Sequence, residues 1–218
     1  MPEAEPRRKP LFWVDLEMTG LDENAHRIIE VAVIITDVEF KVLEEYHRVV
    51  FQPPEVLAAM DDWCKKTHGA SGLTAAIPQG TPLAEVEKDL VAIVERHYRK
   101  DERVVLTGNS VGNDKRFLDK YLPDLAKRLH YRLIDVSSFK EIFRDRYGFE
   151  FRKKSGNHRA LDDIRESIEE LKGYLAHVKI DPAAAPAARG GSAGTAGSAG
   201  GGVPHGDDGA DMAPGEAT

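Results

Sequence analysis

The sequence predicts a single α/β domain, a mixed five-stranded sheet with helices on both faces. Three observations carry that expectation. Three strand-like runs come first, joined by connections short enough for an antiparallel meander; strand and helix patterns then alternate; and 218 residues with 41% hydrophobic content can build one substantial core with some chain left over.

Leu11–Met18, Arg27–Thr36 (with the core Ile28-Ile29-Glu30-Val31-Ala32-Val33-Ile34-Ile35) and Val42–Phe51 are the first three strands. Thr19-Gly20-Leu21-Asp22 and the stretch from Asp37 to Lys41 supply the turn residues between them. Helical patterning follows at Glu55–Lys66 and again from Pro82 to His97, where Thr81 is the expected N-cap and Pro82 lies in the first turn. Val104–Thr107 is a short apolar strand stopped by Gly108, with a helix from about Asn113; Leu133–Val136 is the fifth strand and Ser137–Tyr147 a helix. The basic loop Arg152-Lys153-Lys154-Ser155-Gly156-Asn157 leads into a last helix from Ala160 to Val178. No internal repeat is visible. The expected organisation is an extension over residues 1–9, a domain over 10–181 and a tail over 182–218. The tail is Ala, Gly, Ser, Pro and Thr with few large apolar residues, so it buries too little surface to offset its ordering entropy and is expected to be disordered.

Formal net charge is −7, of which the tail contributes −3 through Asp207, Asp208, Asp211 and Glu216 against Arg189. A body that remains acidic argues against sustained binding to long nucleic acids, although divalent ions bound to its carboxylates would reverse the local field for a short polyanion. Cys64 is the only cysteine, which excludes an intrachain disulfide and fits a helix-packing role in a reducing compartment. The apolar run after Arg7-Arg8-Lys9 is broken by Asp15, and no signal-peptide core or membrane span is apparent, so a soluble cytoplasmic protein is expected.

Asp15 and Glu17 are the main chemical signal. Side chains alternate along a strand, so these two point the same way from a run that also holds Trp13, Val14, Leu16 and Met18. Two ionised carboxylates in such surroundings repel each other and lose hydration, which is tolerated when one is protonated or a cation lies between them. An edge strand with both acids facing water is the alternative. In the last helix the apolar stripe Leu161, Ile164, Ile168, Leu171, Leu175 places Asp162 nearly opposite, at about 100° per residue, and Asp163 on the flank. Asp163 is therefore the better candidate to border a site, while Asp162 suits a helix N-terminus. Asp114 opens its helix and by itself reads equally well as an N-terminal acid. His158, five residues before Asp163, is open to three readings: metal ligand, proton carrier or surface residue.

As a set these residues resemble the DEDDh 3′→5′ exonucleases, and within them the members that act on very short RNA. The resemblance rests on Val14-Asp15-Leu16-Glu17-Met18-Thr19-Gly20-Leu21-Asp22, on Gly108-Asn109-Ser110-Val111-Gly112-Asn113-Asp114, and on Gly156-Asn157-His158-Arg159-Ala160-Leu161-Asp162-Asp163-Ile164-Arg165-Glu166-Ser167. Met60-Asp61-Asp62-Trp63 and His130-Tyr131-Arg132-Leu133-Ile134-Asp135-Val136-Ser137 support it, and the blocks keep family order over residues 11 to 178. It implies a ribonuclease H-like sheet, Asp15, Glu17, Asp114 and Asp163 as metal ligands, and His158 as catalytic base. It also implies a homodimer in which Leu21 and Trp63 contact bases, Tyr131 stacks from the other subunit, and Ser110, Arg132 and Ser137 hold a 5′-phosphate. Core packing is an equal alternative for Trp63 and Tyr131. Asn113 departs from the family, where Gln is expected.

Phosphodiester hydrolysis needs an activated water and charge compensation at the transition state and leaving oxygen. Two divalent cations per site, Mg²⁺ or Mn²⁺, roughly 4 Å apart, meet those needs. Oxygen ligands suit such hard ions, and a histidine with an unperturbed pKa of roughly 6.5 suits a base near neutrality. Two rivals are another exonuclease of the class, acting on tRNA 3′ ends or proofreading DNA, and a non-catalytic nucleic-acid-binding module. The Arg132 block and Met60-Asp61-Asp62-Trp63 argue against the first, and the presence of all four acids and His158 against the second. A two-carboxylate glycosidase would leave Asp114, Asp163 and His158 idle.

Because the tail offers little apolar surface to pack, removing residues 182–218 is expected to leave both the thermal midpoint and turnover essentially unchanged. A clear fall in either on truncation would show that the tail docks on the body.

Overall fold

The computed structural model of the protein describes residues 8–151 and 159–180. The tail over 182–218, the 1–7 segment and the 152–158 loop, with His158, lie outside the described residues. Five strands form one sheet: β1 (Leu11–Met18), β2 (Ile28–Thr36), β3 (Val42–Val49), β4 (Val104–Gly108) and β5 (Leu129–Asp135), in the order β3-β2-β1-β4-β5. β1 pairs antiparallel with β2 and β2 with β3, whereas β4 runs parallel to β1 and β5 parallel to β4. This is the mixed sheet expected of the three consecutive strand runs and the alternation after them. The helices are α1 (Pro54–Ala58), α2 (Asp62–Ala70), α3 (Leu73–Ala76), α4 (Leu83–His97), α5 (Gly112–Tyr121), α6 (Pro123–Ala126), α7 (Val136–Tyr147) and α8 (Ala160–Leu175).

Strand alternation divides the core between two faces. Phe12, Val14 and Leu16 of β1 join Val31, Val33 and Ile35 of β2 against Val86, Leu90, Ile93 and Val94 of α4 and Phe117 and Leu118 of α5. Trp13, Ala32 and Ile34 point to the other face, against Val136 and Phe143 of α7 and Ile164, Ile168, Leu171 and Tyr174 of α8. β2 is therefore buried along its whole length, and Glu30 is the one acid in that strand.

Several local expectations are corrected. The run Glu55–Lys66 is two helices, because Asp61 adopts an extended backbone and its side chain accepts from Cys64 N at 2.7 Å, capping α2 and ending any continuation of α1. Thr81 is not the cap of α4. Its backbone continues the β3 pairing instead, donating to Val49 O (2.8 Å) and accepting from Phe51 N (3.0 Å), which moves Pro82 to the N-cap. β5 starts at Leu129, four residues earlier than the apolar run suggests, because His130, Tyr131 and Arg132 belong to a sheet edge rather than a core strand. α8 ends at Leu175, not Val178, and its inward face is Ala160, Ile164, Ser167, Ile168, Leu171 and Tyr174; Leu175 is 38% exposed. α3 and a 3-10 turn at Ile77–Gln79, which the sequence pattern did not signal, set Leu73 and Ile77 beneath Ile29. Cys64 is buried on α2, in keeping with packing.

Candidate active site

β1, β4 and β5 are parallel, so their C-terminal ends lie along one edge of the sheet, the edge where parallel α/β sheets leave room for ligands. β4 stops at Gly108, where a β-carbon would come within 2.7 Å of Val14 O. β1 runs on to Met18. On that side Leu16 N–H has no ladder partner, and the buried carboxylate of Asp114, on the first turn of α5, accepts from it at 2.9 Å. A strand that outruns its neighbour is thus what fixes Asp114 beside β1.

Asp15 and Glu17 share the β1 face that carries Trp13 and looks toward α8. The N-terminal turn of α8 brings Asp163 to them: one carboxylate oxygen from each of Asp15, Glu17 and Asp163 lies within 4.8 Å of the others. Asp114 stands outside that close group but near enough to raise the pKa of Asp15. Asp162 is about half exposed and pairs with Arg165 at 3.2 Å. An oxygen-only donor set of three half-buried carboxylates fits a hard divalent cation.

The electrostatics express the same crowding. Burial, then Asp163, Glu30 and Asp114, push Glu17 from its ordinary 4.5 up to about 8, with Arg159 pulling it down. Burial, then Asp114, Glu17, Asp163 and Glu30, hold Asp15 well above the carboxylate range. Burial lifts Asp114 to about 7, against the Leu16 amide that favours its charged form. His68, buried on α2, bonds to Met18 O through Nε2 (3.0 Å) and places Nδ1 3.9 Å from Glu17 Oε2.

Glu30 is the cross-strand partner of Glu17. Its signal in the sequence is a lone acid inside the apolar run Ile28–Ile35. Burial would raise it, but His47 Nε2 (2.6 Å), Arg159 Nε (2.8 Å) and Nη2 (2.6 Å), and Ala160 N (3.1 Å) all donate to it and bring its pKa below the ordinary value.

The remaining candidates surround this group. Leu21 is 65% exposed on a loop held by Gly20, whose added β-carbon would strike the His26 ring at 2.5 Å, and by Arg116 donating to Leu21 O (3.3 Å). Trp63 and Tyr131 are 64% and 75% exposed, so neither is a core-packing residue within the chain. Arg132 lies over the Tyr131 ring and donates to its hydroxyl at 3.0 Å. Ser110, with a φ of 53°, donates its amide to Asp135 Oδ1 (2.9 Å), which also accepts from Ser137 N (3.0 Å) and Ser137 Oγ (2.6 Å). Asp135 looks like an ordinary strand residue in the sequence, and its role as the acceptor that gathers this turn shows only in the fold.

A family model described as exonuclease matches residues 12–171. The chain belongs to that exonuclease family, and its fold and acidic site are those of an enzyme. Within the family it stands with the oligoribonucleases. It is 46% identical over 189 residues to the mitochondrial oligoribonuclease of Homo sapiens, covering 83% of this chain and 79% of that one. It is 47% identical over 176 residues to the oligoribonuclease of Hahella chejuensis, covering 78% and 96%. Among solved structures, E. coli exonuclease I in complex with a 5cy-dT13 oligonucleotide superposes with a TM-score of 0.61 at 12% identity, over 78% of this chain and 41% of that one. The chain thus spans about two fifths of that structure, and this likeness concerns the fold alone.

Two outcomes follow from the site. Asp163→Ala is expected to abolish hydrolysis with the fold intact, and Asp162→Ala to be far milder; a dead Asp162→Ala beside an active Asp163→Ala would reverse the face assignment of α8. In the metal-free protein, Glu17 holds a proton that the unfolded chain releases above about 4.5. Stability is therefore full below that pH and lost as pH rises through about 8, with Asp114 acting in the same direction up to about 7. The thermal midpoint of metal-free protein is expected to fall across this window, and less steeply in Glu17→Gln. A midpoint that rises there would contradict the assignment.

Proposed function

We propose that the chain is a 3′→5′ exoribonuclease of very short RNA, above all 5′-phosphorylated dinucleotides, releasing 5′-mononucleotides and working as a cytoplasmic homodimer. The observation that carries this reading is the Asp15–Glu17–Asp163 cluster, in a chain 46–47% identical over most of its length to proteins named oligoribonuclease. Among the described residues no helix is long and apolar enough to cross a membrane.

Asp15, Glu17, Asp114 and Asp163 would hold two divalent cations, Mg²⁺ or Mn²⁺. Bound there, the cations supply the positive charge that phosphodiester hydrolysis needs. His158 would take the proton from the attacking water, and the chain leaves through the 3′-oxygen of the preceding nucleotide. Leu21 and Trp63, both largely exposed, would contact bases. Ser110, Arg132 and Ser137 would receive the 5′-phosphate. Asp135 accepts hydrogen bonds from the Ser137 hydroxyl and the Ser110 amide, so the Ser110 hydroxyl and the Arg132 guanidinium would donate to the phosphate directly, and Ser137 would join them by turning its hydroxyl away from Asp135. Dimer formation is supported by the sheet edge at β5, where Tyr131, and on α7 Ile142 and Tyr147, are largely exposed. In that arrangement the partner's Tyr131 would stack on a base.

The test is turnover of 5′-phosphorylated RNAs of two to ten nucleotides with Mg²⁺, Mn²⁺ or neither. His158→Ala should lower turnover about a hundredfold or more, the range for loss of a general base, with little change in Mn²⁺ binding. Arg132→Ala should weaken a 5′-phosphorylated dinucleotide about ten- to a hundredfold and a 5′-hydroxyl dinucleotide little, because it removes a charge-assisted contact to that phosphate. Tyr131→Ala should weaken both. Equal turnover of dinucleotides and ten-mers, with Arg132→Ala indifferent to the 5′ group, would leave only a general exonuclease.

A further inference from the structure

Glu30 is fully buried in the middle of β2 and lies one strand from Glu17, on the same face of the sheet. A carboxylate so placed would be expected to join the metal-binding group, yet its oxygens are committed elsewhere. Oε1 accepts from His47 Nε2 and from both Nε and Nη2 of Arg159; Oε2 accepts from the backbone amide of Ala160 at 3.1 Å. Arg159 is the N-cap of α8 but offers no capping side-chain oxygen. The cap comes from Glu30 instead, 130 positions earlier in the chain, which satisfies one of the four amides that begin the helix. Arg159 O in turn accepts from the amides of Asp162 (2.9 Å) and Asp163 (3.0 Å). A continuous path therefore runs from the β2 backbone through Glu30 and Arg159 to the residue that stands 4.8 Å or less from Asp15 and Glu17.

We propose that Glu30 is a positioning residue, which through Arg159 and the Ala160 amide sets where the first turn of α8 holds Asp163 against Asp15 and Glu17. This rests on the exoribonuclease reading for its kinetic consequence, though not for its structural one. The clamp is forked and charge-assisted, and such a pair fixes direction as well as distance. The alternative is that Glu30 contributes to overall stability alone.

Glu30→Gln keeps the size of the side chain and removes the charge that draws in both Arg159 nitrogens. Arg159→Gln opens the same link from its partly exposed end, and carries the test if Glu30→Gln does not fold. Each variant is expected to keep a cooperative melt and the wild-type KM for a 5′-phosphorylated dinucleotide within about twofold, while kcat falls about ten- to a hundredfold, as for a displaced reacting group. The double variant should lose no more than the worse single, since both cut one link. In metal-free protein, hydrogen exchange at the Asp162 and Asp163 amides should accelerate in either variant, with Leu171 and Tyr174 unchanged. A folded variant with kcat within about twofold of wild type, or losses that multiply in the double, would overturn the proposal. Inactivity of the wild type on dinucleotides would sink the exoribonuclease reading instead, and the exchange pattern would still decide the positioning role.

Discussion

The crowding of partly buried carboxylates at the end of β1 is the constraint around which the rest of this structure is organised. Asp15, Glu17 and Asp163 meet within 4.8 Å, and Asp114 is drawn in on the other side of the strand by the Leu16 amide. Burial is the larger cause of the raised pKa of Asp15 and Glu17, and the neighbouring acids add to it. Such a group is stable only because the surrounding elements hold it together, and because a proton or a cation relieves the charge. Glu17 and Glu30 show how local donors decide between these outcomes. They are cross-strand partners, yet Glu17 rises to about 8 while Glu30 falls below its ordinary value. The difference lies in the hydrogen bonds that Glu30 receives from His47, Arg159 and Ala160.

Topology brings these groups to one place. β1 sits at the centre of the sheet, antiparallel to β2 and parallel to β4, so its C-terminal end shares an edge with the loops that follow β4 and β5. The first loop carries Ser110 and leads to Asp114; the second turn carries Asp135 and Ser137. α8 crosses the opposite face from α4 and α5 and delivers Asp163 at its first turn. A strand with an unused backbone donor, a helix capped by a distant acid and a turn gathered around Asp135 are three local solutions to the demand for partners among buried polar groups.

Most of the sheet was legible from the chain. β1 and β2 were apparent from apolar runs of the right length, and the antiparallel meander from the short connections. The helix boundaries were less so. The break at Ala59–Asp61 depends on whether Asp61 caps a new helix or sits inside a long one, and both fit the apolar spacing. Thr81 looked like a cap because threonine before proline usually is one; pairing with Val49 and Phe51 took its backbone instead. In α8 the stripe through Leu161 and Leu175 was displaced toward Ala160 and Tyr174, since Tyr174 packs with Phe143 and Phe149 and bonds to Glu170.

By itself the sequence determined which acids exist and which share a face. The two-residue period of a strand places Asp15 beside Glu17, and the pitch of a helix separates Asp163 from Asp162. Only the tertiary structure decided which donors meet which acids. Arg159 and Glu30 are 129 residues apart, Asp114 and Leu16 are 98 apart, and Ser110 and Asp135 are 25 apart. Periodicity governs the direction of a side chain relative to its own element, whereas a hydrogen bond is specified by distance and angle to an atom that another element brings. That is why the site's charges could be read from the chain, while the protonation and the support of those charges came from the fold.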